Sequence, residues 1–117
     1  MRRILVADDE ANMRWVLERA LTKAGYEVET VEDGQLALDR ALAERPDLVL
    51  LDLKMPKMDG YQATNVLLER GFSAPIIALT AHAMEEERER TKTFGFSGHL
   101  TKPLNFSELL RTISSYA

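Results

Sequence analysis

The chain alternates short apolar runs with stretches of helical spacing. Arg3-Ile4-Leu5-Val6-Ala7 is the first apolar run. After Asp8-Asp9-Glu10, the residues Met13, Val16, Leu17, Ala20, Leu21 and Ala24 recur at the spacing of one helix face, and Gly25 is placed to end that helix. Glu27-Val28-Glu29-Thr30-Val31 alternates polar and apolar, which predicts a half-exposed strand at a sheet edge. Asp33 or Glu32 can cap a second helix carrying Leu36, Ala37, Ala41 and Leu42, and Pro46 marks its end. Leu48-Val49-Leu50-Leu51 shows no polar alternation, so it reads as a strand buried on both faces. It stops at a carboxylate, Asp52; Pro56 follows, and Asp59-Gly60 reads as a turn.

The second half repeats the scheme. Residues 62–70 predict a third helix with Ala63, Val66 and Leu67 inward, and residues 71–75 a break. Pro75-Ile76-Ile77-Ala78-Leu79 predicts a fourth strand ending at Thr80. Residues 83–94 predict a much more polar fourth helix, stopped by Gly95. Residues 97–101 predict a short fifth strand, broken by Lys102-Pro103. Asn105 or Ser107 opens a last helix with Leu109, Leu110 and Ile113 inward. Five strands alternating with five helices predict an α/β fold: a doubly wound, five-stranded parallel sheet covered by helices on both faces.

Composition narrows the function classes. The 117 residues suit one domain, and 45% hydrophobic content is enough for a core. The net charge of −4 disfavours direct nucleic-acid binding and adsorption to anionic membrane. There is no cysteine, which excludes disulfides, thiolate chemistry and Cys-based zinc sites, and fits a reducing cytoplasm. MRRILVADDE turns acidic too early for a signal peptide, and no apolar run approaches the ~20 residues that span a bilayer.

The chemistry lies in where the polar residues fall. Asp8 and Asp9 follow the first strand, Asp52 ends the third, Thr80 the fourth and Lys102 the fifth. In a parallel sheet these positions share the carboxyl-end rim, where open α/β sheets bind ligands. With strand order 2-1-3-4-5, the three carboxylates converge at the switch point between strands one and three. Like charges placed together need a cation or protons to offset them. Oxygen-only ligands favour a hard divalent ion, so Mg²⁺ is the expected cofactor. Lys102 adds a positive charge and Thr80 a hydroxyl, a set suited to a phosphoryl group on or near Asp52. Taken singly, each residue has a plainer reading: Asp8-Asp9 as helix caps, Thr80 as a turn residue, Lys102 as a solvated lysine.

Asp8-Asp9, Asp52 followed by MPKMDG, Thr80-Ala81 and Lys102-Pro103 together closely resemble the receiver domain of two-component response regulators. The resemblance covers essentially the whole chain, 1–117, as a single domain with a flavodoxin-like (βα)₅ fold. It implies that Asp52 is the phosphoacceptor, taking phosphate from a histidine kinase or a histidine phosphotransfer protein. Asp9 and Asp52 would bind Mg²⁺ through side chains, Asp8 through a metal-bound water, and Lys54 through its backbone carbonyl. Thr80 and Lys102 would bind the phosphoryl oxygens, with Lys102-Pro103 a cis peptide. Such a domain assists its own phosphorylation and dephosphorylation without turning over a separate substrate.

Further roles follow from the same resemblance. Lys54 and His82 stand two residues beyond Asp52 and Thr80, where the family modulates water attack on the phosphoryl group; bulky donors there would prolong the phosphorylated state. The family's switch residue on strand five is Tyr or Phe, and here it is His99, which can rotate, hydrogen-bond and sense pH. Helix one and the loop after strand five contact the kinase in the family, which makes Met13, Trp15 and Val16 partner-facing candidates. Glu85-Glu86-Glu87-Arg88-Glu89-Arg90 reads first as a solvated helix with a Glu86–Arg90 pair, and second as part of a signalling and homodimerisation face of helix four, strand five and helix five.

Two rivals fit less well. A phosphatase of the haloacid dehalogenase type needs a second Asp two residues after its nucleophile, where this chain has Lys54. An FMN carrier of the flavodoxin type needs a Ser/Thr/Gly phosphate loop where this chain has Asp8-Asp9-Glu10. With no output domain after Ala117, a stand-alone receiver and a piece of a longer regulator are both expected forms.

Overall fold

The computed structural model describes residues 2–81 and 84–116. The elements run β1 (Arg3–Ala7), α1 (Ala11–Lys23), β2 (Glu27–Val31), α2 (Gly34–Glu44), β3 (Leu48–Asp52), α3 (Gly60–Glu69), β4 (Ile76–Thr80), α4 (Glu85–Phe94), β5 (Gly98–Thr101) and α5 (Phe106–Tyr116). All strand pairs are parallel, in the order β2-β1-β3-β4-β5. This is the doubly wound five-stranded sheet that the alternation of elements predicts.

Two apolar layers explain why the central strands show no alternation. Leu5, Val49, Leu51, Ile76 and Ala78 face one layer, filled by Ala37, Leu38 and Ala41 of α2 and by Ala63 and Leu67 of α3. Ile4, Val6, Leu48, Leu50, Ile77 and Leu79 face the other, filled by Leu17 and Leu21 of α1 and by Leu109 and Ile113 of α5. The period of two is present, but both faces demand apolar side chains. The edge strand β2 meets solvent on one side and keeps its polar alternation. Among the described residues, no helix is long and apolar enough to cross a membrane.

Local chemistry moves some predicted boundaries. Asp59 and Gly60 do not form an isolated turn. Asp59 is the N-cap of α3, accepting from the Gln62 backbone N–H at 2.9 Å while its own N–H donates to the Gln62 side chain at 3.1 Å. This reciprocal capping box starts α3 at Gly60 rather than at residue 62. Asp33 caps α2 and Asn105 accepts at the start of α5, each at a position predicted to open its helix. Leu36 is exposed and Leu38 is buried in its place. That phase brings Gly34 against Met58, where a Cβ would collide with the Met58 carbonyl. α4 is placed at Glu85–Phe94; the predicted start at Ala83 lies outside the described residues.

Candidate functional site

Strand register builds the site. Ala7 pairs with Leu51, so the next residues, Asp8 and Asp52, leave the sheet side by side. Thr80 pairs with Thr101, which sets Lys102 just beyond β5 and level with them. The Lys102 backbone N–H donates to the Thr80 carbonyl at 2.7 Å, extending the pairing one step into the loop. Lys102-Pro103 is a cis peptide. Asp8 is fully buried, Asp52 and Thr80 nearly so, and Asp9 is exposed. Carboxylate oxygens of Asp8, Asp9 and Asp52 all lie within 4.8 Å of one another.

Lys102 is the cation that holds this cluster. Its ammonium lies 2.9 Å from Asp8 Oδ2, 3.2 Å from Asp52 Oδ2 and 4.0 Å from Glu10 Oε1. The Lys54 backbone N–H donates to Asp52 Oδ1 at 3.1 Å. Asp8 Oδ1 accepts from the Glu10 N–H at 2.9 Å, and the Arg14 guanidinium donates to the Asp8 carbonyl at 2.7 Å. Asp8 therefore orders the turn into α1 rather than capping it; Glu10 is the N-cap residue.

The charges do not balance: among the described residues, the Lys102 ammonium stands against the clustered Asp8, Asp9 and Asp52, with Glu10 a fourth carboxylate at the margin. Burial pushes the Asp52 carboxyl above its ordinary range, the Lys54 N–H opposes that, the Asp8 charge adds to it, and Lys102 opposes it again. Burial pulls the Lys102 ammonium down, but Asp8 and Asp52 outweigh it and leave it above its ordinary value. An acidic, oxygen-only cluster with surplus negative charge is the donor set of a hard divalent cation.

The loop between β3 and α3 is pinned from both ends. Gly60 lies so close to β3 that a Cβ would come within 2.6 Å of the Asp52 carbonyl oxygen and 2.9 Å of Leu53 Cα. Lys57 takes a left-handed backbone, φ 68°, and its ammonium lies 3.7 Å from the buried Asp33 carboxylate. A non-glycine residue there carries strain that the surrounding loop must hold.

The sequence model of the response regulator receiver domain matches residues 4–114. The chain belongs to the response regulator receiver domain family. Among curated relatives, this receiver domain is 42% identical over 108 residues to the response regulator MprA of Mycolicibacterium vanbaalenii, covering 92% of this chain and 47% of MprA. The chain thus spans about half the length of that relative. Its structure superposes on the chemotaxis protein CheY4 of Vibrio cholerae with a TM-score of 0.94 at 34% identity, over 100% and 99% of the two chains. It superposes on the receiver domain of the Pseudomonas aeruginosa sensor histidine kinase PA1611 with a TM-score of 0.89 at 37% identity, over 98% and 96%. The PA1611 structure has a magnesium ion coordinated in its active site cleft.

The remaining candidate residues of the receiver domain fall as follows. Lys54 is exposed beside Asp52. His82 lies outside the described residues. His99 is half-buried on the edge strand β5, paired with Ala78 and two steps short of the Thr80–Thr101 pair. Burial, then Arg88, holds its imidazole below the usual value, against Glu87 and Glu108. Trp15 is 62% exposed, with the Arg19 guanidinium 5.0 Å from its ring centroid, and lines an open groove with Phe106 and Leu110 of α5. Met13 is half-buried against the α1–α5 layer, and Val16 is half-buried.

The expected Glu86–Arg90 ion pair does not form among the described residues; Arg90 instead lies over the ring of Tyr61, 4.2 Å from its centroid. A buried aromatic outcompetes an exposed carboxylate, whose i,i+4 pair is worth only ~0.3–0.5 kcal/mol. Sequence reasoning missed Glu10 and Arg14, which brace Asp8 and Lys102. Their signal was there: both follow the acidic pair closely, Glu10 as the N-cap of α1 and Arg14 just inside that helix.

Proposed function

We propose that the protein is a phosphoacceptor: Asp52 accepts a phosphoryl group from a histidine kinase or a histidine phosphotransfer protein. The observation that carries this reading is the cluster of Asp8, Asp9 and Asp52 at the carboxyl ends of β1 and β3, with Lys102 from beyond β5 paired to Asp8 and Asp52. An Asp52 oxygen attacks phosphorus, the donor's P–N bond breaks as the P–O bond forms, and the donor imidazole leaves with its electron pair and takes a proton. The Lys54 N–H keeps Asp52 oriented for attack. Lys102, released from part of its pairing with Asp52, follows the charge onto a phosphoryl oxygen, and the Thr80 hydroxyl donates to another. Asp8, Asp9, Asp52 and the Lys54 carbonyl would hold Mg²⁺, which when bound neutralises charge developing on the phosphoryl oxygens. The ion in PA1611, a receiver domain of the same family, supports that assignment.

The whole chain is read as one such domain, with no separate substrate turned over. Lys54 and His82, two residues beyond Asp52 and Thr80 in the sequence, are read as the pair that slows hydrolysis of the phosphoryl group. Thr80 and His99 relay the modified state to α4, β5 and α5, the face that responds and through which a homodimer can form. Trp15, with Met13 and Val16 at its margin, faces the phosphodonor protein.

Incubation with acetyl phosphate and Mg²⁺, followed by intact mass, tests the reading. A single phosphate adduct on the wild type that is lost in Asp52→Ala is expected. An adduct that survives in Asp52→Ala overturns it.

A further inference from the structure

α4 is held to the rest of the fold by very little. Its sequence is the most polar of the five helices, and Thr91 is its only fully buried side chain. Its cation and ring contacts to α3 converge on one residue. Tyr61 is buried, its ring 4.8 Å from Phe94 at the end of α4 and 5.9 Å from Phe96, which follows that helix. The Arg90 guanidinium covers the same ring at 4.2 Å and reaches Phe94 at 5.8 Å. A cation over an aromatic face and a tilted aromatic pair are each favourable beyond simple apolar burial. For a helix with so little apolar contact, those terms decide where it sits.

Tyr61 is also tied to the other end of the problem. It follows Gly60, whose backbone is pressed against the Asp52 carbonyl with no room for a Cβ. The Gly60 N–H donates to the Leu53 carbonyl at 3.0 Å. The start of α3 therefore cannot stay still if the backbone at Asp52 and Leu53 shifts, and Tyr61 is the first side chain to move with it. Packed contacts of this kind pass between discrete arrangements rather than deforming smoothly.

We propose that Tyr61 and Arg90 form a clamp that couples the state of Asp52 to the position of α4, a route through α3 separate from the one through Thr80 and His99. Tyr61 and Arg90 are positioning residues in this scheme. The clamp rests on the proposed phosphorylation of Asp52 and adds to it the residues that report that event to α4. Among the described residues, the charges facing Tyr61 are Glu87, Arg90 and Asp59. Of these, Arg90 alone is a cation.

The test compares wild type, Arg90→Ala, Arg90→Lys and Tyr61→Leu, each with and without acetyl phosphate and Mg²⁺. Intact mass reads the phosphate adduct, and amide hydrogen exchange of peptides from α4 reads the response. Arg90 is exposed, so its variants are expected to fold. The expected result is an equal adduct in wild type and Arg90→Ala, with the phosphorylation-dependent change in α4 exchange reduced about 5-fold in Arg90→Ala and restored in Arg90→Lys. A merely structural role would raise basal α4 exchange and leave that phosphorylation-dependent ratio intact. Tyr61→Leu keeps the apolar burial and is expected to lose the response as Arg90→Ala does. A normal adduct with an undiminished α4 response in Arg90→Ala overturns the clamp alone. No adduct on the wild type overturns both the clamp and the function it rests on.

Discussion

The sheet carries a charge cluster at each end, and the two are built on opposite terms. Toward the amino ends of β1 and β2, Arg3 meets Glu44 at 3.1 Å, and Arg40 meets Glu29 at 2.6 Å and Glu44 at 2.9 Å. Two cations face two anions there, each about 40% exposed. At the carboxyl ends, three clustered aspartates share one lysine that pairs with two of them, and those two, Asp8 and Asp52, are out of water. The first cluster is balanced and solvated, and contributes little to stability. The second is unbalanced and desolvated, an arrangement that costs stability unless something else occupies it. A fold keeps such a cluster where chemistry needs it. Burial and imbalance, rather than the number of charges, separate the candidate site from a surface network.

Removing Lys102 should break this comparison most sharply. Lys102→Ala leaves Asp8 and Asp52 without their shared cation, and is expected to lose about 3 kcal/mol in Mg²⁺-free buffer near neutral pH. Chemical denaturation checks this, and added Mg²⁺ should restore part of the loss by binding the folded state. A variant as stable as the wild type would place the rim with the amino-end network.

Asp52→Asn should act in the opposite direction. Burial and the Asp8 charge hold the Asp52 carboxyl above its ordinary value, so its ionised form is disfavoured by folding. Replacing it with a neutral isostere removes that cost, and the melting temperature is expected to rise at neutral pH while phosphate uptake disappears. A fall in melting temperature would mean that Asp52 is net stabilising and the imbalance argument fails.

His99 offers a smaller, pH-dependent signal. Its imidazole titrates below the ordinary value because burial and Arg88 disfavour the cation. The unfolded chain binds the proton more readily, so stability is full above about pH 6.5 and declines as pH falls toward the lowered folded value. Thermal melts from about pH 7.5 to about pH 5 should show a shallower decline in His99→Gln than in the wild type. Parallel curves would remove His99 as a contributor. The smallest effect is expected at the amino end, where Arg40→Ala should be hard to distinguish from wild type at physiological salt. A large, salt-insensitive loss there would erase the contrast between the two clusters.

Much of this was open to inspection in the chain itself. Leu48-Val49-Leu50-Leu51 can be little else than a strand covered on both faces, and parallel topology then puts every strand-ending polar residue on one rim. The convergence of Asp8, Asp52 and Lys102 follows from that topology. Contacts between helices did not show. Arg90 sits four residues after a glutamate, and local spacing predicts an ion pair; its actual partner, Tyr61, is 29 positions away and is brought near only by the packing of α3 against α4. Leu36 and Leu38 are equally apolar, and which faces inward follows from how α2 packs, with Gly34 pressed against Met58 and Ala37 and Ala41 in the core. Asp59-Gly60 has the composition of a turn and the hydrogen bonding of a helix start; the Gln62 three residues on was the signal that separated them.

The central claim is that Asp52 is the atom-level target of the rim, and acyl phosphate chemistry reads it directly. Treat the protein with acetyl phosphate in the presence or absence of Mg²⁺, reduce with borohydride, and map the products by peptide mass. The account predicts conversion of Asp52 to homoserine, dependent on Mg²⁺, with Asp8 and Asp9 unchanged. Conversion at Asp8 or Asp9 instead, or at none of the three, would contradict it.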